Sequence, residues 1–193
     1  MRKLTDEEFN KEWVTFCGNL EKVGITKNYN LEKLESQLRC ASGALSEDTG
    51  IAYPGALICH INLFTAIAQR ISKMVAGTFA IDEKSLLKVC LLQHLSKIYM
   101  YQPNDNEWRV KNLGENFKFA ELEGNLKFGE RSIYCASLHG ITFTPNEWEA
   151  MECMDKAKES NGMKYAECIL STIIRQANEL AYAIEKERNN IKI

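Results

Sequence analysis

Three imidazoles, His60, His94 and His139, are the side chains of this chain best suited to hold a metal or move a proton near neutral pH. His60 closes the stretch YPGALICH. His94 follows Gln93 inside CLLQHLSKIYMY, with Lys97 three residues further on. His60 falls on a largely apolar segment, and Gln93 and His94 lie in a run, Leu86 to Leu95, that is apolar nearly all round. Polar groups in such surroundings need partners, because burying one unpaired is costly. They are either hydrogen-bonded core residues or the lining of a pocket. His139, just before Gly140, reads as structural and suits a helix C-terminus. The seven cysteines form no C-x-x-C pair, and Cys59, Cys90 and Cys168 each sit among apolar neighbours. That pattern predicts buried free thiols in a reducing cytoplasm rather than a zinc site.

The elements that must carry these residues read as helices almost throughout. Thr5-Asp6-Glu7-Glu8 is a capping box, followed by Phe9, Trp13, Phe16 and Leu20 on one face. A second helix spans roughly Leu31 to Cys40, and Ala41 to Gly50 is a loop. Pro54 suits the first turn of a helix that reaches about Val75 and ends at Gly77. Asp82 caps the apolar helix bearing Gln93 and His94, which its pattern makes central and buried. Residues Gln102 to Gly129 change character: Trp108 to Lys111 and Asn116 to Phe119 alternate around Leu113-Gly114, which predicts a short hairpin or extended excursion around 105–125. Helical pattern resumes at Glu130 and stops near Gly140. Thr144-Pro145-Asn146-Glu147 then opens a helix to about Glu159. The last helix, Lys164 to Arg188, shows Tyr165, Ile169, Ile173, Ala177, Leu180 and Ile184 as a stripe. The expectation is an all-α fold in one domain, 1–193.

Composition narrows the function. With 193 residues and 45% apolar content, the chain can bury one sizeable core. A net charge of −2 without long Lys/Arg runs argues against a broad nucleic-acid surface. The start, MRKLTDEEFNKEW, lacks the apolar region of a signal peptide, and the run Ile51 to Ala68 is broken by Pro54, His60 and Asn62, so no membrane span is expected.

Five phrases in order give a resemblance. YPGALICH is similar to a Y-x-G-G-L-x-x-H-like stretch, and CLLQHLSKI to A-L-L-H-D-L-x-K-I. Lys127 to Ser132 resembles G-H-G-E-K-S, Phe143 to Met154 resembles L-T-x-E-E-x-x-A-I-x-W-H, and Arg175 to Asn178 resembles H-x-A-D. These are phrases of the HD-domain metal-dependent phosphohydrolases. The resemblance implies an HD-domain-like helical bundle over about 40–188, with an N-terminal helical extension over 1–40.

The same resemblance implies that most of the chemistry is gone. In that family imidazoles and at least two carboxylates hold one or two divalent ions, which activate a water toward a phosphoester. His60 matches the first histidine. Gln93 stands at the histidine of the His-Asp pair and His94 at its aspartate. Phe128 and Met154 replace histidines, and Asn178 replaces an aspartate. No cofactor is therefore expected. A fallback set of His60, His94 and Asn178, with Glu130 nearby, would hold a single divalent metal ion. Lys97 matches a family lysine, Arg131 stands for another, and Arg175 replaces a pocket histidine; together they could line the old cavity for a phosphate or carboxylate. Glu130 and Glu152 read as solvated helix charges.

The leading expectation is a catalytically degenerate binding or regulatory module for a protein partner or a phosphorylated small molecule, through His60, Gln93, His94, Lys97, Arg131, Arg175 and Asn178. The rival is a one-metal phosphohydrolase acting on a nucleotide or other phosphoester. A third reading is a structural partner protein whose interior is filled by Phe128 and Met154.

Overall fold

The structure, a computed structural model, describes residues 4–156 and 167–190. It is all-α apart from one short two-stranded sheet. Helix α1 (Asp6–Val23) opens on the expected capping box: the Thr5 hydroxyl accepts from the Glu8 N–H, and the Glu8 carboxylate accepts from the Thr5 N–H. Its face of Phe9, Phe16 and Leu20 is buried. Helix α2 (Leu31–Cys40), capped by Asn30, turns Leu34 and Leu38 inward. Both faces join the same apolar core as the later helices, so the N-terminal segment is packed into the body of the fold.

Helix α3 (Ala56–Val75) starts after Pro54, which lies in the preceding turn rather than in the first helical turn. Gly55 is the N-cap at φ 85°, a conformation open to glycine and strained for other residues. Helix α4 (Glu83–Gln93) is capped by Asp82 and buries Leu86, Leu87, Val89, Cys90, Leu91 and Leu92. It is the central helix, packed against α1 and α3 on one side and the later helices on the others. The expected run to Leu95 is cut short: Gln93 is the last helical residue and His94 the C-cap. Tight turns, with Leu95 N–H on the Leu92 carbonyl and Lys97 N–H on the His94 carbonyl, then lead into α5 (Lys97–Met100).

The excursion pairs β1 (Tyr101–Pro103) antiparallel with β2 (Phe117–Phe119), Tyr101 opposite Phe119 with ring centroids 5.5 Å apart. Trp108 to Lys111 is not extended as expected. It lies in α6 (Glu107–Leu113), because Asn106 accepts from the Arg109 N–H to cap a helical turn and Gly114 ends it at φ 63°. Local capping outweighs the alternating pattern there.

Helix α7 (Phe128–Ser137) is followed by α8 (Pro145–Lys156), opened by the reciprocal Thr144–Glu147 cap. The expected end of α8 at Glu159 lies outside the described residues, as do Lys164 and Tyr165 at the expected start of the last helix. Helix α9 (Ile169–Asn190) packs on α3 and α8. Its buried face is Leu170, Ile173, Ile174, Ala177, Asn178, Ala181 and Glu185, whereas Leu180 is 48% exposed. Beyond Ala177 the inward face runs through Ala181 and Glu185, with Ile184 half-buried against the core beside them and Leu180 turned outward. All seven cysteines are free thiols, but Cys90 and Cys153 alone are buried and Cys40 is exposed. No helix among the described residues is long and apolar enough to cross a membrane.

Because Phe16 is fully buried where α1 meets the core, Phe16→Ala should lower unfolding free energy by about 3–5 kcal/mol. Val14→Ala, 72% exposed on the same helix, should change it by less than about 0.5 kcal/mol. Urea unfolding of the two variants checks both, and equal effects would contradict the packing of α1.

Candidate functional site

The polar interior is assembled where α3, the end of α4, α5 and α9 meet. His60 on α3 is fully buried, and its Nδ1 lies 2.8 Å from Oε2 of Glu185 on α9. His94 caps α4, and its Nε2 lies 2.9 Å from Oδ1 of Asn178, one helical stretch earlier on α9. The two imidazoles stand edge to face, centroids 4.7 Å apart. Phe64, Tyr182 and Phe128 enclose them: Phe64 is 5.3 Å and Phe128 5.5 Å from His94, and Tyr182 is 4.6 Å from His60. Met154 closes the far side, its sulfur 3.6 Å from Nδ2 of Asn178.

Lys97, at the start of α5, points inward and is 3% exposed. Its ammonium donates to the Gly43 carbonyl at 2.6 Å and to the Tyr182 hydroxyl at 2.7 Å. The rings of Tyr182, Phe128 and Tyr101 surround it at 5.4, 5.7 and 5.8 Å, a cation–π environment that partly replaces lost hydration.

Burial sets the protonation of this cluster. It pushes the His60 imidazole below its ordinary range, against the hydrogen bond and charge of Glu185, and the Lys97 ammonium adds to the depression. His94 is pushed well below, by burial first and then by Lys97 and His60, with the Asn178 amide opposing. Burial also lowers Lys97, against Tyr101 and Glu185, and raises the Tyr182 phenol, with the Glu185 charge adding to it. Both imidazoles are therefore neutral at pH 7. His60 donates through Nδ1–H to Glu185 and His94 through Nε2–H to Asn178. That leaves His60 Nε2 and His94 Nδ1 as buried acceptors without a hydrogen-bond partner.

The seven sequence-predicted residues divide. His60, His94, Lys97 and Asn178 come together. Gln93 is buried but faces away, donating to the Ala150 carbonyl of α8 at 3.1 Å. Arg131 reaches the Gly124 carbonyl at 3.0 Å and steadies the loop before α7. Arg175 pairs with Glu167 at 2.9 Å, ahead of α9. The three cations do not share one lining: Lys97 is held by Gly43 and Tyr182, Arg131 by the loop before α7 and Arg175 by Glu167. Glu130 is not simply solvated: it accepts from the Lys127 N–H as the cap of α7, while Glu152 accepts from the Trp148 indole N–H. His139 stacks on Tyr29 at 4.4 Å. Sequence reasoning missed Glu185 and Tyr182. A face of α9 drawn through Ala177, Ala181 and Glu185 would have shown both beside His60.

The donor set does not fit a hard divalent ion. A carboxylate behind an imidazole, as Glu185 is behind His60, is how metal-ligating histidines are commonly oriented. Here, however, two neutral nitrogens remain, the Asn178 oxygen is engaged by His94, and an ammonium stands beside them. Hard dications take anionic oxygen donors. Among the described residues no group of three or more His, Cys, Asp or Glu side chains is placed to hold a metal. No protein-family model matches this chain, and no curated protein or solved structure matches it either.

Two measurements bear on the cluster. With both imidazoles below their ordinary value of 6.5, folded and unfolded chains carry the same histidine charge above that pH. Below it the unfolded chain takes up protons that the folded chain excludes, so stability falls toward acid. The slope should approach about 1.4 kcal/mol per pH unit for His94, which is pushed well below, with a further contribution of the same sign from His60. Urea midpoints between about pH 7.5 and 5.5 should show it, and His94→Gln should remove the larger part; a flat profile would contradict neutral burial. Separately, Glu185→Leu leaves the His60 Nδ1–H buried without an acceptor and should cost about 1–3 kcal/mol, read by thermal or urea unfolding.

Proposed function

We propose that this chain is a catalytically silent relative of the HD-domain phosphohydrolases, working as a binding or regulatory module through contacts with a protein partner. One observation carries the reading. Five of the six positions that the HD resemblance assigns to metal ligands, namely His60, His94, Phe128, Met154 and Asn178, come from five separate helices or helix ends and meet around one point, while the sixth, Gln93, turns away toward α8. Residues so far apart in sequence have no local reason to converge, so their meeting supports the resemblance. What stands at those positions supports silence. An aromatic ring, a thioether and an amide replace ionic or imidazole donors, and the remaining histidines are engaged by Glu185 and Asn178.

The placement of the cations favours a protein over a phosphorylated small molecule. Lys97 is enclosed, and Arg131 and Arg175 answer local acceptors, so no convergent cationic lining for a phosphate forms from the three. Large apolar side chains are instead presented outward on the excursion, with Trp108 63% and Phe119 59% exposed. Aromatic residues of this kind are enriched in protein interfaces.

The rival one-metal reading keeps the unpartnered His60 Nε2 and His94 Nδ1 in its favour. The two readings separate in one experiment. The purified protein is assayed with manganese, iron, nickel or zinc against a panel of phosphomonoesters, phosphodiesters and nucleotides. The expected outcome is no turnover above the protein-free rate and no stoichiometric metal. Turnover that His60→Ala abolishes would overturn the proposal.

A further inference from the structure

Between α2 and α7 lies a cavity of about 50 Å³, and none of His60, His94, Lys97 or Asn178 lines it. Lys33, Leu34 and Gln37 of α2 face Ser132, Cys135 and Ala136 of α7 across it. Leu92 and Leu95, both buried, close its inner end, and Tyr29 and Tyr99 stand at its sides. The Ser132 hydroxyl is already engaged, by the Gln93 carbonyl at 2.6 Å and the Ser96 hydroxyl at 2.7 Å. Burial pushes the Cys135 thiol up, against the Arg131 charge, so it stays protonated and acts as a small apolar wall. The Tyr29 phenol is also pushed up, by burial first and then by Tyr99 and Cys135, and remains an O–H donor. Lys33 is the only Lys, Arg, Asp or Glu among the described residues of the lining. Its neighbours three and four positions away, Tyr29, Asn30, Ser36 and Gln37, are uncharged. Among the described residues its ammonium makes no ion pair.

We propose that this cavity binds a short aliphatic carboxylic acid, its hydrocarbon end inward and its carboxylate at Lys33. The lining is polar at one end only. Leucine and alanine side chains, a protonated thiol and an engaged hydroxyl meet the inner end of the ligand, which must therefore be apolar. The Lys33 ammonium, with three donors and no acceptor, meets the outer end, beside the Tyr29 hydroxyl. A carboxylate finds a charged donor there and no acid of the lining to oppose it. A ligand ammonium would face Lys33, and a doubly charged phosphate would find one cation. Size narrows the class further. A single water needs roughly 10–15 Å³ of such space, so the cavity takes a body of about three to five carbons. An apolar cavity of about 150 Å³ is the size that takes a benzene ring, so an aromatic acid does not fit. This inference does not rest on the HD-type reading, and its failure would leave that reading untouched.

Pentanoate is the probe, with pentan-1-ol as the uncharged control of like shape and benzoate as the control of like charge and larger body. The full chain is titrated at pH 7 to about 20 mM ligand, enough to saturate a millimolar site, and followed by nuclear magnetic resonance. Pentanoate should shift the Cys135 and Ala136 amides and the imidazole of His139, which also lines the cavity, to saturation, while the His60 imidazole stays. Pentan-1-ol and benzoate should each bind at least about threefold more weakly. Lys33→Gln removes the charge at an exposed position and should weaken pentanoate about three- to tenfold, the range of an ion pair in contact with solvent. Cys135→Leu fills the cavity and should abolish binding. Circular dichroism verifies that each variant is folded, and Lys33→Gln decides alone if Cys135→Leu is not. No saturable shift in the wild-type chain, equal affinity for either control, unchanged affinity in Lys33→Gln, or binding that survives in folded Cys135→Leu would each overturn the proposal.

Discussion

Burying the Lys97 ammonium is the constraint on which the arrangement of helices depends. An ammonium removed from water must find acceptors and a counter-charge. The Gly43 carbonyl and the Tyr182 hydroxyl supply the first, and the Glu185 carboxylate acts on it as the second. The first contact needs the 41–53 loop close against the core. Gly43 lets the loop close on itself there, since a Cβ at this position would lie 2.7 Å from Cδ1 of Ile51, whose carbonyl accepts from the Gly43 N–H. From Glu185 the network continues to His60 on α3, while Asn178 on the same helix holds His94 at the end of α4. Ser132 on α7 donates to the Gln93 carbonyl, and Gln93 donates onward to α8. Apolar packing drives these helices together without fixing their register. The directional bonds fix it, even though a buried charge pair adds little net stability over an apolar one.

The same network explains why metal chemistry is hard to support in this interior. Lys97 contributes one positive charge and Glu185 one negative, so the cluster is balanced as it stands. Two neutral imidazoles and one amide add no charge. A dication placed among them would leave two uncompensated positive charges in a low-dielectric interior, where such an imbalance is strongly unfavourable. Under the HD-type reading, loss of the acidic ligands and retention of the lysine are one electrostatic change seen from two sides: the cation that remains is covalently part of the chain.

The helices were legible in the sequence wherever a cap and a period agreed. Thr5, Asp82 and Thr144 each cap a helix as their spacing implies, and the central burial of Leu86 to Leu92 follows from a run apolar on all sides. The excursion was legible as an excursion and misread in detail, because alternation over four residues in Trp108 to Lys111 cannot be told from one helical turn without weighing the Asn106 and Gly114 caps. On α9 the preference for large apolar residues drew the stripe through Leu180 and Ile184. Ile184 does pack against the core, but in place of Leu180 the helix buries the smaller Ala181 and the charged Glu185, whose carboxylate accepts from His60 on the neighbouring α3. His60, His94, Lys97 and Asn178 were found by resemblance and do meet. Gln93, Arg131 and Arg175 were placed with them by the same resemblance and do not meet them, because matching a phrase says nothing about where a long side chain ends. A rotation of one position along α4 sends Gln93 toward α8 while His94 faces α9.

Glu185 is the residue through which the interior and the surface meet. It is 6% exposed, accepts from His60 on one side and borders an open cavity on the other. A change in what faces its carboxylate from the cavity must alter how strongly it holds the His60 proton. That in turn alters the imidazole pair and the Lys97 environment, because each acts on the charge of the next. This polar core is balanced in charge but leaves His60 Nε2 and His94 Nδ1 unpartnered, and it is electrically coupled to one surface feature. That coupling is a physical route by which an event at the surface reaches the packing of α3, α4 and α9.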